Sequence, residues 1–490
     1  MKSALMQLYR RLPAASRSLP ASLWGLYLRS WRYGPETNGL VEAALERESW
    51  SAQQWKSWRE ERLASLLHHA ATQVPYYRQH WTKRRQSGDR RSWERLDHWP
   101  LLEKEAVRNT PRAFLAEDVR PREMFCEQTS GTTGTPLTLW WSRKTVREWY
   151  ALFEARCRLW NGVSRQNRWG ILGGQLVLPA TSRRPPFWVW NSALRQLYVS
   201  TYHLSADLIP YTLDALGKFR VEYLFGYSSS LYLLALGALR AGRRDWKMRV
   251  AITNAEPLFD HQRAAISEAF GCAVRESYGM AEIVAAASEC SQGCLHLWPE
   301  VGIEETLRDP TAIPEHERQE LVCTGLLNRD MPLIRYRVGD RVSLAEDAAN
   351  CGCGRRLPVL GRVDGRNTDN LVTKDGRRIF WLNPILYGLP VIEAQIIQET
   401  LGSLRVLYVP NPQQGNDVGG ELRRRLRERM GEVEVTLELV SAIPRSASGK
   451  FRPVICRLSN EEIEQAASGG ISFPDGRCAH PEPVGAEFRN

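Results

Sequence analysis

Several familiar signatures are missing from this sequence. No stretch approaches the roughly 18 consecutive apolar residues of a membrane-crossing helix. The first thirty-one residues, "MKSALMQLYRRLPAASRSLPASLWGLYLRSW", hold no continuous apolar core of the kind that marks a secretory leader. Nowhere does the chain read Gly, four residues, then Gly-Lys-Ser/Thr, the phosphate loop of the common nucleotide hydrolases. Long basic runs are absent too. The strongest are "RRDWKMR" and "ELRRRLRER", and the second interleaves Leu and Glu as a solvated helix face does. With no basic–aromatic recognition motif, nucleic acid is not an expected partner. There is no internal repeat.

What is present bounds the class. The 490 residues exceed the about 250 to 300 that one core usually serves, so one large domain and at least one smaller one are expected. Hydrophobic residues at 43% and charged residues at 25% are ordinary for a globular protein. The net charge of +11 suits an anionic surface or a polyanionic small molecule, but it is spread along the chain. Ten cysteines without a leader point to reduced thiols and the cytoplasm. The N-terminal stretch is basic and mixes Leu, Trp and Tyr. It is expected to pack as helix onto the large domain or to associate weakly with a membrane surface.

Periodicity organises the rest. Residues 1 to about 120 read as mainly helical; "SAQQWKSWREERLASLLHHAATQV" starts with Ser51 as N-cap, and "PYYRQHW" breaks it. From 137 to 360, "GILGGQLVLP", "VEYLFGY" and "MRVAITNAEP" read as buried strands. "SLYLLALGALRAG" and "FDHQRAAISEAFG" read as helices stopped by Gly. This alternation predicts an α/β domain with much parallel sheet. Ligands in such sheets sit at the carboxyl ends of strands, where "GYSSS", "NAEP" and "YGMAE" fall. Past the polar cluster "GRNTDN" (365–370), a shorter α+β pattern follows: "AQIIQET", "LRVLYVP", "VGGELRRRLRERMG" and "VEVTLELV". The expected boundaries are 1–366 for the large domain, 367–460 for the small one and 461–490 for a loosely held tail.

"TSGTTGTP" (129–136) carries two glycines among five hydroxyls. Backbone N–H groups and hydroxyls arranged by such glycines can cradle phosphate. Ser/Thr-rich turns have the same composition, and the octapeptide alone leaves both readings open.

Five further segments bear on it: "NAEP" (254–257), "YGMAE" (278–282), "PLIRYRVGD" (332–340), "GRNTDN" (365–370) and "PRSASGKFRP" (444–453). In this order and spacing they resemble the adenylate-forming, or acyl-CoA synthetase, superfamily. Within it, the chain looks most like the phenylacetate–CoA ligase branch, nearest the capsular-polysaccharide CapK-type proteins. The likeness runs from about residue 25 to 457. It implies a large multi-layer N-terminal AMP-binding domain and a small mobile C-terminal α+β domain. It also implies an AMP-forming acid–thiol ligase: ATP activates a small-molecule carboxylate as acyl adenylate, pyrophosphate leaves, and coenzyme A takes the acyl group. Two alternatives stand beside this. One is transfer to an amine or hydroxyl in polysaccharide biosynthesis, and the other is a catalytically silent nucleotide-binding scaffold.

The resemblance also assigns residues. Thr129, Ser130, Gly131, Thr132, Thr133 and Gly134 would cradle the β- and γ-phosphates. Glu282 would hold Mg²⁺ with Thr133 beside it. Ala255 and Glu256 would border the adenine, and Tyr278 with Gly279 would pack on it. Asp340 would accept from the ribose hydroxyls, as an acceptor-only group can. Arg366 would contact ribose or phosphate, and Lys450 would reach the α-phosphate. Thr368 stands where the family hinge is usually acidic. In the branch, a structural zinc takes a Cys and a His from one cluster and two Cys from another. That selects Cys290, His296, Cys351 and Cys353 here, with Cys294 as substitute. The acyl pocket would lie between "GYSSS" and "YGMAE", with Trp169 to Gln175 nearby. Taken singly, each residue has a plainer reading: Asp340 in a hairpin turn, Glu282 as a helix cap, Lys450 in solvent.

Overall fold

The computed structural model describes residues 9, 12–128, 137–174, 177–178, 182–205, 207–307, 319–344, 351–366, 371–374, 378–379, 389–411, 418–446 and 451–469. The chain divides into two compact units. The larger comprises Met1–Asp309, Glu317–Asp369 and Ser441–Pro453; the smaller comprises Pro310–His316, Asn370–Val440 and Val454–Asn490.

Helices open the larger unit: α1 (Ser18–Arg32), α2 (Thr37–Glu46), α3 (Ala52–Gln73), α4 (Pro75–Gln86) and α5 (Lys104–Asn109). Ser51 starts α3 through a capping box. Its Oγ accepts the Gln54 N–H at 3.3 Å, and Gln54 Oε1 accepts the Ser51 N–H at 2.9 Å. Pro75 ends α3 because it has no N–H to donate, yet it suits the first position of the next helix. The expected break is therefore a junction at Val74, and helix resumes at once as α4.

A two-stranded ribbon, β1 (Phe125–Gln128) and β2 (Thr138–Trp141), precedes α6 (Arg143–Phe153), which runs into a π-helical turn at Glu154–Arg158. The main sheet follows. Strands β3 (Trp169–Gly173), β5 (Gln196–Ser200), β6 (Tyr223–Tyr227), β7 (Val250–Asn254) and β8 (Ala273–Gly279) are parallel, in the order β5-β3-β6-β7-β8. The strand β4 (Trp188–Asn191) lies antiparallel at the edge. Helices α7 (Ile209–Lys218), α8 (Ser228–Arg240) and α9 (Asp260–Phe270) make the crossovers. Gly271, at φ 60°, ends α9 in the left-handed conformation that glycine adopts at least cost.

The parallel expectation holds only this far. On its other side β8 pairs antiparallel with β9 (Ala286–Glu289), and the sheet continues through β10 (Leu295–Leu297), β11 (Gly302–Leu307), β12 (Gln319–Gly325), β13 (Tyr336–Leu344) and β14 (Val359–Arg366). All pairings among these are antiparallel. A parallel return needs a crossover of about a dozen residues, and Met280–Ala285 between β8 and β9 is too short for one. The twelve strands form one sheet, in the order β11-β12-β13-β14-β10-β9-β8-β7-β6-β3-β5-β4. The principal core packs Leu67, Tyr77 and Trp99 from the helical region against Leu321, Ile334 and Tyr336 of the antiparallel half.

In the smaller unit, β15 (Leu371–Val372) and β16 (Arg378–Ile379) form a short ribbon. The strands β17 (Val391–Thr400), β18 (Ser403–Pro410), β19 (Glu434–Leu439) and β20 (Val454–Cys456) form a sheet in the order β19-β18-β17-β20. Helix α10 (Gly419–Met430) packs Leu422, Leu426 and Met430 on Ala394, Ile396, Leu404 and Val406. A final helix, α11 (Asn460–Gly469), follows. Among the described residues, no helix is long and apolar enough to cross a membrane.

Candidate active site at the carboxyl edge of the sheet

The parallel strands deliver their loops to one edge. After β6 come Ser228, Ser229 and Ser230, all buried in the first turn of α8. After β7 comes Ala255, exposed and held at φ 61°, a conformation costly for a residue with a side chain and enriched at functional sites. It turns Glu256 back toward α8. Glu256 Oε2 accepts the Ser229 N–H at 3.0 Å and the Ser228 hydroxyl at 3.4 Å, placing negative charge at the helix N-terminus. Its other oxygen, Oε1, accepts the Phe451 N–H at 2.6 Å. The residue following Lys450 is thereby tied to the carboxyl edge of the parallel strands. Two buried polar atoms here have no partner among the described residues, Asn254 Oδ1 and Ser229 Oγ.

The loop after β8 carries Glu282, 7% exposed. Burial pushes its pKa up, but the Lys104 ammonium 3.0 Å away and the Tyr336 hydroxyl, also at 3.0 Å, outweigh this and hold the carboxyl below its usual range. Lys104 opens α5, and the chain before it is pinned to β13. Leu102 N–H donates to Arg335 O at 2.9 Å, and Arg337 N–H donates to Leu102 O at 3.0 Å. Tyr278, at the end of β8, donates its hydroxyl to Asp340 Oδ2 at 2.7 Å. Burial and then the Asp340 charge raise the phenol well above its ordinary pKa, so Tyr278 stays a neutral donor. Asp340 lies inside β13, not in a hairpin turn, and stands opposite Arg366 of β14 in register.

The structure thus places Glu256 after β7, Tyr278 and Gly279 at the end of β8 with Glu282 just beyond, and Asp340 in the middle of β13, joined to Tyr278 by its hydrogen bond. Sequence reasoning missed Lys104 and Tyr336. Tyr336 sits within the quoted "PLIRYRVGD", where only Asp340 was given a role; Lys104 carries no motif. Trp169 was expected near the acyl pocket. It opens β3 at the opposite, amino edge of the sheet. Thr129, Ser130, Gly131, Thr132, Thr133, Gly134, Gln175, Thr368 and Lys450 lie outside the described residues, as does the side chain of Arg366.

A second constellation lies on the antiparallel half. Cys290 follows β9 and His296 lies in β10. Cys351 and Cys353 precede β14. Cys290 Sγ is 3.5 Å from Cys351 Sγ, and Cys353 Sγ is 3.3 Å from His296 Nε2. All four ligand atoms lie within 4.8 Å of one another. A tetrahedron with metal–sulfur bonds of about 2.3 Å and metal–nitrogen bonds of about 2.0 Å has edges of about 3.5 to 3.8 Å; the two closest pairs are near that, and the widest separation, up to 4.8 Å, would have to contract around an ion. His296 Nδ1 lies 3.0 Å from the Leu357 carbonyl. A proton on Nδ1 leaves Nε2 as the lone-pair donor facing the thiols, as second-shell partners of metal-bound imidazoles do. Cys294 stays outside the set of four; its carbonyl accepts the Cys290 N–H at 2.9 Å in the turn.

Comparison with known proteins bears on the whole chain. Residues 371–457 match the CapK C-terminal domain family. Protein CapK of Staphylococcus aureus is 26% identical over 389 residues, spanning 77% of this chain and 84% of CapK. The phenylacetate–coenzyme A ligase of Pseudomonas putida is 24% identical over 448 residues, spanning 86% of this chain and 92% of that enzyme. Among solved structures, 2-hydroxyisobutyryl-CoA ligase in its postadenylation state superposes with a TM-score of 0.63 at 20% identity, covering 87% of this chain and 94% of that one. The chain is homologous to CapK and to the phenylacetate–coenzyme A ligases, and its α/β fold with a C-terminal domain is that of the adenylate-forming coenzyme A ligases.

Proposed function

We propose that this protein is an ATP-dependent ligase that activates a carboxylic acid as its acyl adenylate and passes the acyl group to coenzyme A. In the first step a carboxylate oxygen bonds to the α-phosphorus and the bond to the bridging oxygen breaks, releasing pyrophosphate. In the second a thiol sulfur bonds to the acyl carbon and AMP leaves.

The observation that carries this reading is the polar character of the carboxyl edge. Asn254 Oδ1 is a buried acceptor without a donor among the described residues, which the exocyclic amine of adenine would supply. Asp340, fixed by the Tyr278 hydroxyl at 2.7 Å, presents acceptors suited to vicinal ribose hydroxyls. Glu282 already holds a cation, the Lys104 ammonium at 3.0 Å, and its donor set would suit Mg²⁺, which screens phosphate charge during such a transfer. Glu256 accepts the N–H of Phe451, the residue that follows Lys450 in the sequence. Catalysis of phosphoryl attack is mostly positioning and charge stabilisation, so Lys450 would meet the charge developing on the α-phosphate. The Cys290, His296, Cys351 and Cys353 set would hold a structural zinc that fixes two loops of the antiparallel half. Nothing in the chemistry of the step would pass through it.

A second reading keeps adenylation and changes the acceptor to an amine or hydroxyl. It is supported by the match of residues 371–457 to the CapK C-terminal domain.

The test is ATP–pyrophosphate exchange with Mg²⁺ across a panel of carboxylic acids, with coenzyme A omitted. Exchange with one acid class is expected, after which thiols and amines identify the acceptor. No exchange with any acid, in a preparation shown to bind ATP, would defeat the ligase reading and favour a silent scaffold.

A further inference from the structure

A cavity of about 510 Å³ opens at the amino edge of the parallel strands, the end opposite the proposed nucleotide site. Trp169, the first residue of β3, and Arg195, just before β5, mark its position. Five arginines line it, Arg29, Arg32, Arg158, Arg165 and Arg195, and no carboxylate does. Behind the wall, buried Glu154 pairs with Arg158 at 2.9 Å and with Arg165 at 3.5 Å. Arg158 is further held by the hydroxyls of Tyr33 at 3.0 Å and Tyr223 at 2.9 Å. Arg29, Arg32 and Arg195 have no carboxylate partner among the described residues. Arg32 lies over the Tyr150 ring at 4.4 Å, and the Arg195 guanidinium donates to the Gln166 carbonyl at 3.0 Å. Glu36, beside Gly34 of the lining, is paired with Arg147, so two carboxylates stand against six guanidinium groups and leave a positive excess, in the side chain best shaped to grip phosphate.

The helix that supplies Arg29 and Arg32 bears a second, independent feature. On α1, Leu19, Leu23 and Leu26 follow one another at helical spacing and are 70%, 60% and 55% exposed. Trp24 and Tyr27 stack beside them at 4.8 Å, 50% and 43% exposed. Most of the large exposed hydrophobic side chains among the described residues belong to this one helix. The opposite face is fixed: a Cβ on Gly25 would stand 2.0 Å from Asn191 Oδ1, and Trp31 is buried. The helix cannot roll to hide the stripe. Leu26 also lines the cavity, so apolar stripe and arginines form one continuous surface.

We propose that this surface docks on an anionic bilayer, with the α1 stripe in the interfacial layer and the arginine cavity taking the phosphate of an anionic lipid headgroup. Exposed Leu beside Trp and Tyr, flanked by arginine, is the composition of an interfacial helix. A second copy of the chain is the wrong partner, because apposing two such faces would bring two sets of arginines together. A soluble phosphate would satisfy the cavity and leave the stripe in water.

The experiment is co-sedimentation of the full chain with phosphatidylcholine vesicles, pure or mixed two to one with phosphatidylglycerol. Binding to the mixed vesicles, weakening with salt, and absence from the pure ones is expected. Each arginine near an anionic surface changes the partition by about fivefold, so the triple variant Arg29→Gln, Arg32→Gln, Arg195→Gln should lose about a hundredfold. Leu19→Ser, Leu23→Ser, Leu26→Ser should abolish binding while ATP–pyrophosphate exchange in solution is unchanged, which separates docking from misfolding. Equal binding to both vesicle types, or full binding by either triple variant, overturns the proposal. So does calorimetric binding of inorganic pyrophosphate to the arginine cavity without vesicle binding. An α1-dependent dimer in light scattering, again without vesicle binding, overturns it too.

Discussion

Replacing Lys104 with methionine keeps the stem and deletes the charge, and so exposes what Glu282 costs when buried alone. Glu282 is 7% exposed and the Lys104 side chain 27%, with the ion pair at 3.0 Å. At an effective dielectric of about 20, unit charges at this separation attract by about 5.5 kcal/mol. Water reaches the Lys104 side and the Tyr336 hydroxyl remains, so the loss should fall at the lower end of the about 3 to 5 kcal/mol seen when one partner of a buried pair is removed. We expect about 3 kcal/mol near neutral pH.

The pH dependence separates this from a packing effect. In the native protein the folded pKa of Glu282 lies below its unfolded value of 4.5. The pair's stabilisation is therefore full above that value and is lost as pH falls through the folded pKa. In Lys104→Met, burial acts without its compensation and the folded pKa rises above the unfolded one. The folded state then takes up a proton on acidification, so the penalty shrinks as pH falls from neutral and the two proteins converge. Urea denaturation followed by tryptophan fluorescence across this range measures both slopes. Lys104→Met with Glu282→Gln, which removes both charges, should recover most of the loss. A cost below about 0.5 kcal/mol, the ordinary level for a surface substitution, or parallel pH profiles, would refute the reasoning.

Three other outcomes are expected. Asp340→Ala should weaken ATP binding by about 2 kcal/mol, the loss of a charged hydrogen-bond acceptor; an unchanged affinity in calorimetry removes Asp340 from the site. Lys450→Ala should abolish ATP–pyrophosphate exchange and leave ATP binding nearly intact, and near-native exchange excludes it from the chemistry. The purified chain should carry one zinc by elemental analysis, lost in Cys353→Ser together with thermal stability; freely titrating Cys290, Cys351 and Cys353 thiols and no zinc in the native chain would dismiss the metal site.

The strand–helix units of the parallel half were legible because each carries its own punctuation. Gly271 closes α9 with the left-handed turn its φ of 60° requires, and the capping box at Ser51 announces α3. The antiparallel half was not legible as such. Its strands look like those of the parallel half, and direction is set by the length of the connection rather than by strand composition. The acidic groups of the candidate site could be named because they sit in short motifs. Lys104 could not, since an ion pair across 178 residues leaves no trace in local pattern. Tyr336 lies in a quoted motif, but nothing local says that its hydroxyl ends on Glu282. The zinc dimensions also needed coordinates: the spacing of Cys351 and Cys353 alone does not show that Sγ and Nε2 converge.

The two polar regions of the parallel sheet differ in sign, and the difference assigns them. Asp340, Glu282, Glu256 and the Asn254 carbonyl oxygen make the carboxyl-edge region a collection of acceptors, suited to hydroxyls, an amine and a divalent cation. Under the proposed reading, phosphate there would need added cations, with Lys450 and Mg²⁺ as the candidates. The arginines at the amino edge cannot serve that purpose, because a five-residue strand such as β3 holds the two edges about 16 Å apart. Anion binding at the amino edge is therefore separable from nucleotide chemistry at the other. That separation is why the arginine and leucine variants should change partition onto vesicles without changing exchange, whereas Lys450→Ala should do the reverse. A variant at either edge that altered both would show that the sheet transmits a change along its strands, and the two sites would have to be treated as one.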